Sequence, residues 1–167
     1  ILDDLGLITT ALAPLRFSWS ALDQEIQAHA RFGEERARHF VGRSAVLERI
    51  AGYLGAADGR APLVVSGESG SGKSALMAKA WESALGIQQG STMVSRFIGA
   101  TPGSSVGREL LLSLCDEIGR AYGAEESLAG ADYPDLVGVF RDRLALAIRK
   151  KPLVLFLDGV DQFREGD

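Results

Sequence analysis

The chain has 167 residues, 46% hydrophobic and 24% charged, with a net charge of −4, which bounds it to one domain, or one domain plus a short attachment, with enough apolar material for a core. The acidic balance offers no bulk attraction for nucleic acid, the single cysteine, Cys115, excludes an internal disulfide and a cysteine metal cluster, and no apolar run approaches the eighteen or so residues of a membrane span. Asp3 and Asp4 interrupt any signal-peptide pattern, so a reducing cytoplasm is the expected compartment and no membrane partner is expected.

Residues 1–38 read as a helical linker or the end of a preceding domain, and residues 39–167 as the N-terminal part of the main domain. Trp19, Leu22 and Ile26 recur at helical spacing after a break at Pro14. The mixed charges from His29 to His39 predict a solvated helix face. The two histidines are not expected to form a metal site. A short helix carrying Val46, Leu47, Ile50 and Leu54 follows, with Ser44 as its expected N-cap, and 57–60 form a polar turn.

An apolar run at 62–66 predicts the first strand. It enters Gly67-Glu68-Ser69-Gly70-Ser71-Gly72-Lys73-Ser74, a complete G-x-x-x-x-G-K-[ST] phosphate loop, and a helix with Met77, Ala80, Trp81, Ala84 and Leu85 on one stripe follows. The glycines let backbone N–H groups turn inward on phosphate oxygens, which side chains there would obstruct. Lys73 supplies a positive charge for the β- and γ-phosphates, and the Ser74 hydroxyl is placed to ligate Mg²⁺. The helix that follows points its positive end at the same anion. A nucleoside triphosphate is the ligand these residues are built for.

A second strand is predicted at 93–98, then a loop and a helix capped by Ser104 or Ser105. That helix carries the stripe Leu111, Leu114, Cys115, Ile118 and Tyr122, with Cys115 as a buried small hydrophobe. Residues 123–132 form a loop and 135–150 a helix using Val137, Phe140, Leu144 and Ile148. The basic triplet Arg149-Lys150-Lys151 reads as its terminus, stopped by Pro152. The run 153–157, apolar on both faces, predicts a buried parallel strand. It ends in Asp158-Gly159-Val160-Asp161-Gln162. Ligands of open α/β sheets sit at the carboxyl ends of strands, so Asp158 has the form of a Walker B aspartate holding Mg²⁺, and Asp161 lies where it would orient an attacking water.

With both motifs in place the chain resembles the STAND class of P-loop NTPases, and within it the NACHT-type domains. The resemblance spans roughly residues 38–163 and rests on Phe40-Val41-Gly42-Arg43, the phosphate loop, Arg96-Phe97-Ile98-Gly99 and Leu157-Asp158-Gly159-Val160-Asp161. It implies a three-layer α/β sandwich of the P-loop NTPase kind. The parallel sheet is expected to be truncated after the Walker B strand, because in this class a later strand inserts between the phosphate-loop strand and the Walker B strand. It implies ATP and ADP as ligands with Mg²⁺, Val41, Gly42 and Arg43 as base contacts, and Lys73 and Asp161 as catalytic groups. It also implies sensor and effector domains of the same parent chain, and homo-oligomers on activation. NACHT domains often carry Glu directly after the second Asp; here that position is Gln162, so a slow ATPase switch is expected, and the chain by itself need not turn over. Two alternatives stand beside it: an AAA+ ATPase of the origin-recognition kind acting on DNA or protein, against which Asp158-Gly159 stands where Asp-Glu is usual, and a scaffold that binds nucleotide without hydrolysing it.

Overall fold

A computed structural model of the chain describes residues 19–56, 61–148 and 151–163. In chain order they form α1 (Ala21–Ala37), α2 (Ser44–Gly55), α3 (Lys73–Ile87), β1 (Thr92–Phe97), α4 (Gly107–Tyr122), α5 (Tyr133–Ala145) and β2 (Leu153–Asp158), with 3₁₀ turns at Gly103–Ser105 and Val160–Gln162. The expected break at Pro14, the turn at 57–60 and the pair Arg149-Lys150 lie outside the described residues. No described helix is long and apolar enough to cross a membrane.

β1 and β2 pair in parallel, from Thr92 opposite Leu153 to Phe97 opposite Asp158. Parallel pairing needs a long crossover, which α4 and α5 supply. Side chains alternate between the two faces of a strand, and both faces are covered. Val154 and Phe156 pack with Leu76, Ala80 and Ala84 of α3, whereas Leu153, Leu155 and Leu157 pack with Leu110, Leu114 and Ile118 of α4. Helices on both sides of a parallel sheet agree with the α/β architecture expected of a P-loop NTPase, with α1 and α2 ahead of the loop.

The predicted strand at 62–66 is not one. These residues pair with no described strand, and Leu63 and Val64 are 44% and 79% exposed. A strand exists only with a neighbour to take its backbone hydrogen bonds. Among the described residues β2 pairs on one side only, with β1, so the position beside it that an intervening strand of this class would fill is open. Only Val65 turns inward, against the α2–α3 cluster. The stripe predicted for α5 is likewise displaced: Val137, Leu144 and Ile148 are exposed while Leu136 and Arg143 are buried. Ser44 is the first residue of α2 rather than its cap. Lys151 does serve a helix terminus, but that of α4, where its ammonium donates to the Ala121 carbonyl.

α1 begins with a capping box in which Ser20 Oγ accepts from the Asp23 amide at 3.1 Å and the Asp23 carboxylate accepts from the Ser20 amide at 3.1 Å. Asp23 also takes Arg120 of α4 at 2.6 Å. The Ser20 hydroxyl first, and Arg120 second, hold the Asp23 carboxyl down at about 2. The buried residues of α1 are His29, Gly33 and Ala37, whereas Trp19 is exposed. Gly33 has a steric reason to be glycine, because a Cβ there would stand 3.0 Å from the Phe97 ring.

Arg96 is 1% exposed. It extends from β1 under α4, donating to Ser113 Oγ and the Ser113 carbonyl, both at 3.1 Å, and to the Ser95 carbonyl at 2.9 Å. It pairs with Glu117 at 2.6 Å, and burial pushes that carboxyl up while Arg96 pulls it back down. Truncating one partner strands the other charge in low dielectric. Arg96→Ala is therefore expected to remove about 3 kcal/mol of stability in urea denaturation; a loss below about 1 kcal/mol would show that Glu117 finds water instead.

Candidate functional site

The phosphate loop is built by two glycines in left-handed backbone and by the first turn of α3. Gly70 has φ +72° and Gly72 φ +82°, a region where a Cβ costs roughly 1–2 kcal/mol. Gly72 is the N-cap of α3 and accepts the first helical bond, from Leu76 at 3.0 Å. Lys73 opens the helix and folds its ammonium back over the loop, donating to the carbonyls of Gly67 at 2.7 Å and Glu68 at 2.9 Å. Glu68 also accepts from the Ser71 amide at 3.2 Å, closing the turn around Ser69 and Gly70. Ser74 follows in the same first turn, where helix N–H groups lack internal partners. A cation poised beside the unpartnered N–H groups of a helix N-terminus is a seat for an anion.

The upstream segment reaches this seat through one residue. Gly42 and Arg43 both have positive φ, +85° and +56°. For Arg43 that is a strained conformation, and it turns the side chain to the loop, where the guanidinium donates to the Ser71 carbonyl. Val41 points away and is 90% exposed. Of the three residues expected at a base, the geometry brings only Arg43 to the phosphate loop.

The carboxyl ends of the strands lie toward the N-terminal half of α3: Phe97, last in β1, packs with Met77 and Ala78, one turn into the helix. Asp158 is the register partner of Phe97, and strand alternation turns it to the same face as Phe156, the face α3 covers. Its side chain is buried and accepts no hydrogen bond from a described side chain, and its carbonyl accepts from Ile98 at 2.9 Å. Gly159, at φ +77°, then turns the chain into the 3₁₀ turn that carries Asp161 at the surface. The Gln162 carboxamide lies over two glycines: a Cβ on Gly99 or on Gly159 would come within 3.0 Å of it.

The loop after β1 also lies at this end. Ser104 does not cap α4. Fully buried, it accepts from the amides of Gly99 at 3.0 Å and Thr101 at 3.1 Å and donates to the Thr101 carbonyl at 2.8 Å. Cys115 is buried as expected, and burial pushes its thiol up to about 11. A surface depression lined by Trp19 and residues of α1 contains no phosphate-loop residue.

A family described as AAA ATPase domain matches residues 39–167. The chain is 29% identical over 129 residues to the human NACHT and WD repeat domain-containing protein 2, covering 73% of this chain and 7% of that one. It is 37% identical over 105 residues to the human NACHT domain- and WD repeat-containing protein 1, covering 61% and 7%, and 32% identical over 113 residues to the mouse NACHT and WD repeat domain-containing protein 2, covering 64% and 6%. The chain thus spans less than a tenth of the length of these relatives. No solved structure matches it.

Gly159 links the two halves of the site and carries a local test. A methyl group there meets the Ile98 carbonyl at 3.2 Å and the Gln162 amide at 3.0 Å in a left-handed backbone. Gly159→Ala is expected to lower stability by about 2 kcal/mol; a thermal midpoint equal to that of the parent would mean that the turn relaxes freely.

Proposed function

The chain belongs to the AAA ATPase domain family, as a P-loop NTPase of the NACHT type, and from that premise we propose that it is a slowly hydrolysing ATP/ADP switch module. The observation that carries this is the pairing of a complete phosphate loop with a motif change at the hydrolytic end. Lys73 is held on the Gly67 and Glu68 carbonyls and is free to exchange them for the stronger charge of β- and γ-phosphates. Arg43 sits on the rim of the same loop as a second cation for the polyphosphate or a stacking surface for the base.

The donor set fits a magnesium ion. The Asp158 carboxylate and the Ser74 hydroxyl are hard oxygen ligands, and neither is engaged by a described side chain. Such an ion, held by Asp158 and Ser74, would supply charge neutralisation to a bound triphosphate. The rest falls to the chain itself: Lys73 and the loop amides bind and orient the triphosphate, and Asp161 accepts a hydrogen bond from the attacking water. Gln162 replaces the acidic residue frequent at its position, and a carboxamide is no base, so turnover is slow. Slow turnover suits a module that holds one state until a sensor domain of its parent chain engages. The WD repeats in the relatives' names support a repeat sensor, and homo-oligomers are the expected active form in the cytoplasm. The same Gln162 favours one second reading, a scaffold that binds ATP without hydrolysing it. Single-turnover hydrolysis separates the two.

Lys73→Ala is expected to weaken ATP binding roughly ten- to hundredfold, the cost of a charged hydrogen bond of about 1.5–3 kcal/mol. Unchanged affinity by titration calorimetry would refute the nucleotide site. Asp161→Asn is expected to leave ATP affinity within about twofold and to slow single-turnover hydrolysis at least tenfold. Equal loss of both would move Asp161 into the metal site.

A further inference from the structure

The polar face of α1 lies against the end of β1, and its central group is an imidazole. His29, 1% exposed, accepts the Phe97 amide on Nδ1 at 3.0 Å across a separation of 68 residues. Its Nε2 faces the Glu25 carboxylate at 3.0 Å. The same Glu25 oxygen accepts the Thr101 hydroxyl at 2.8 Å, so one turn of α1 holds both the last amide of β1 and the loop beyond it. These contacts define the tautomer: Nδ1 must be unprotonated to accept an amide, and Nε2 then carries the hydrogen toward Glu25. A second proton has only Nδ1 to go to, where it meets the Phe97 N–H head on.

We propose that α1 is a proton-releasable clasp on the carboxyl end of β1, with the His29 imidazole as its catch, seated when neutral and released when charged.

The groups around the ring favour the neutral form. Glu25 on α1 attracts an imidazolium. Arg96 on β1 repels one, although Glu117 of α4 partly neutralises it. From α3 the side chains packed at this seat are Met77 and Ala78, which offer no charge. Burial first, and Arg96 second, lower the affinity of His29 for a proton against the opposing pull of Glu25. A histidine whose seated proton affinity is depressed stabilises the seat above its ordinary value of 6.5. That stability is lost as the pH falls below 6.5, because the released form binds the proton first. Release frees the Phe97 amide, directly opposite Asp158 in the sheet register, and the Thr101 hydroxyl in the loop beyond, so α1 and the carboxyl end of the sheet loosen together.

The test is amide hydrogen exchange of the uniformly labelled chain by NMR, with protection factors corrected for intrinsic rates, at about pH 7.5 and about pH 5.5. Linkage from the unperturbed value predicts that protection of Phe97 and of the α1 amides falls between them, by at most about tenfold. In His29→Asn, whose Oδ1 takes the place of Nδ1 and accepts the same amide without titrating, the fall should vanish. An unchanged wild-type protection, or an equal fall in His29→Asn, overturns the proposal. If His29→Asn does not fold, the wild-type imidazole nitrogen shifts decide: an Nε2–H tautomer titrating below 6.5 supports the clasp, and an Nδ1–H tautomer or a midpoint at or above 6.5 overturns it.

Discussion

Where α3 sits governs where each chemical group of this protein ends up. Its first turn is the wall of the phosphate loop, and its body is gripped from two directions. Leu76, Ala80 and Ala84 press on Phe156 of the sheet, while Ala78 meets Ala37 of α1 and Phe97. Alanines at 78, 80 and 84 let the neighbours approach closely, and close packing transmits position because dense interiors leave little room to slide. With α3 held between sheet and α1, the loop at its N-terminus and Asp158, on the face of β2 that α3 covers, are both positioned by this one helix.

The second constraint is the end of β1, which serves several elements at once. Its Phe97 ring packs under α1 and α3, its Phe97 amide is held by His29, and its register partner is Asp158. Arg96, one residue earlier, ties the strand to α4 through Ser113 and Glu117. Successive residues of a strand face opposite sides, so Arg96 and Phe97 join the sheet to α4 on one face and to α1 and α3 on the other. The motif that carried the family resemblance is thus structural at this point, holding the layers together beside the chemistry rather than taking part in it.

Much of the site was legible because it is short-range. The loop at 67–74 specifies its own turn through Gly70 and Gly72, and the helix that follows starts at Lys73 whatever lies further along the chain. The run ending in Asp158 was legible for a similar reason, since five β-favouring residues apolar on both faces have few other uses. The α1 seat was not legible. Hydrophobic periodicity points to Trp19, Leu22 and Ile26, whereas the buried stripe is His29, Gly33 and Ala37, a polar residue and two small ones chosen for close approach and for a hydrogen bond. Glu25, one turn before His29, was a usable signal at i,i+4 spacing.

By itself the sequence determined the phosphate loop, the two-faced strand with its terminal aspartate and the α/β class, because each depends on backbone freedom and side-chain polarity within a few residues. Only the tertiary structure decided that residues 62–66 pair with no described strand, that Arg43 meets Ser71, and that His29 closes on Phe97. A strand needs a neighbour and a buried polar atom needs a partner, and both are supplied by residues far away along the chain.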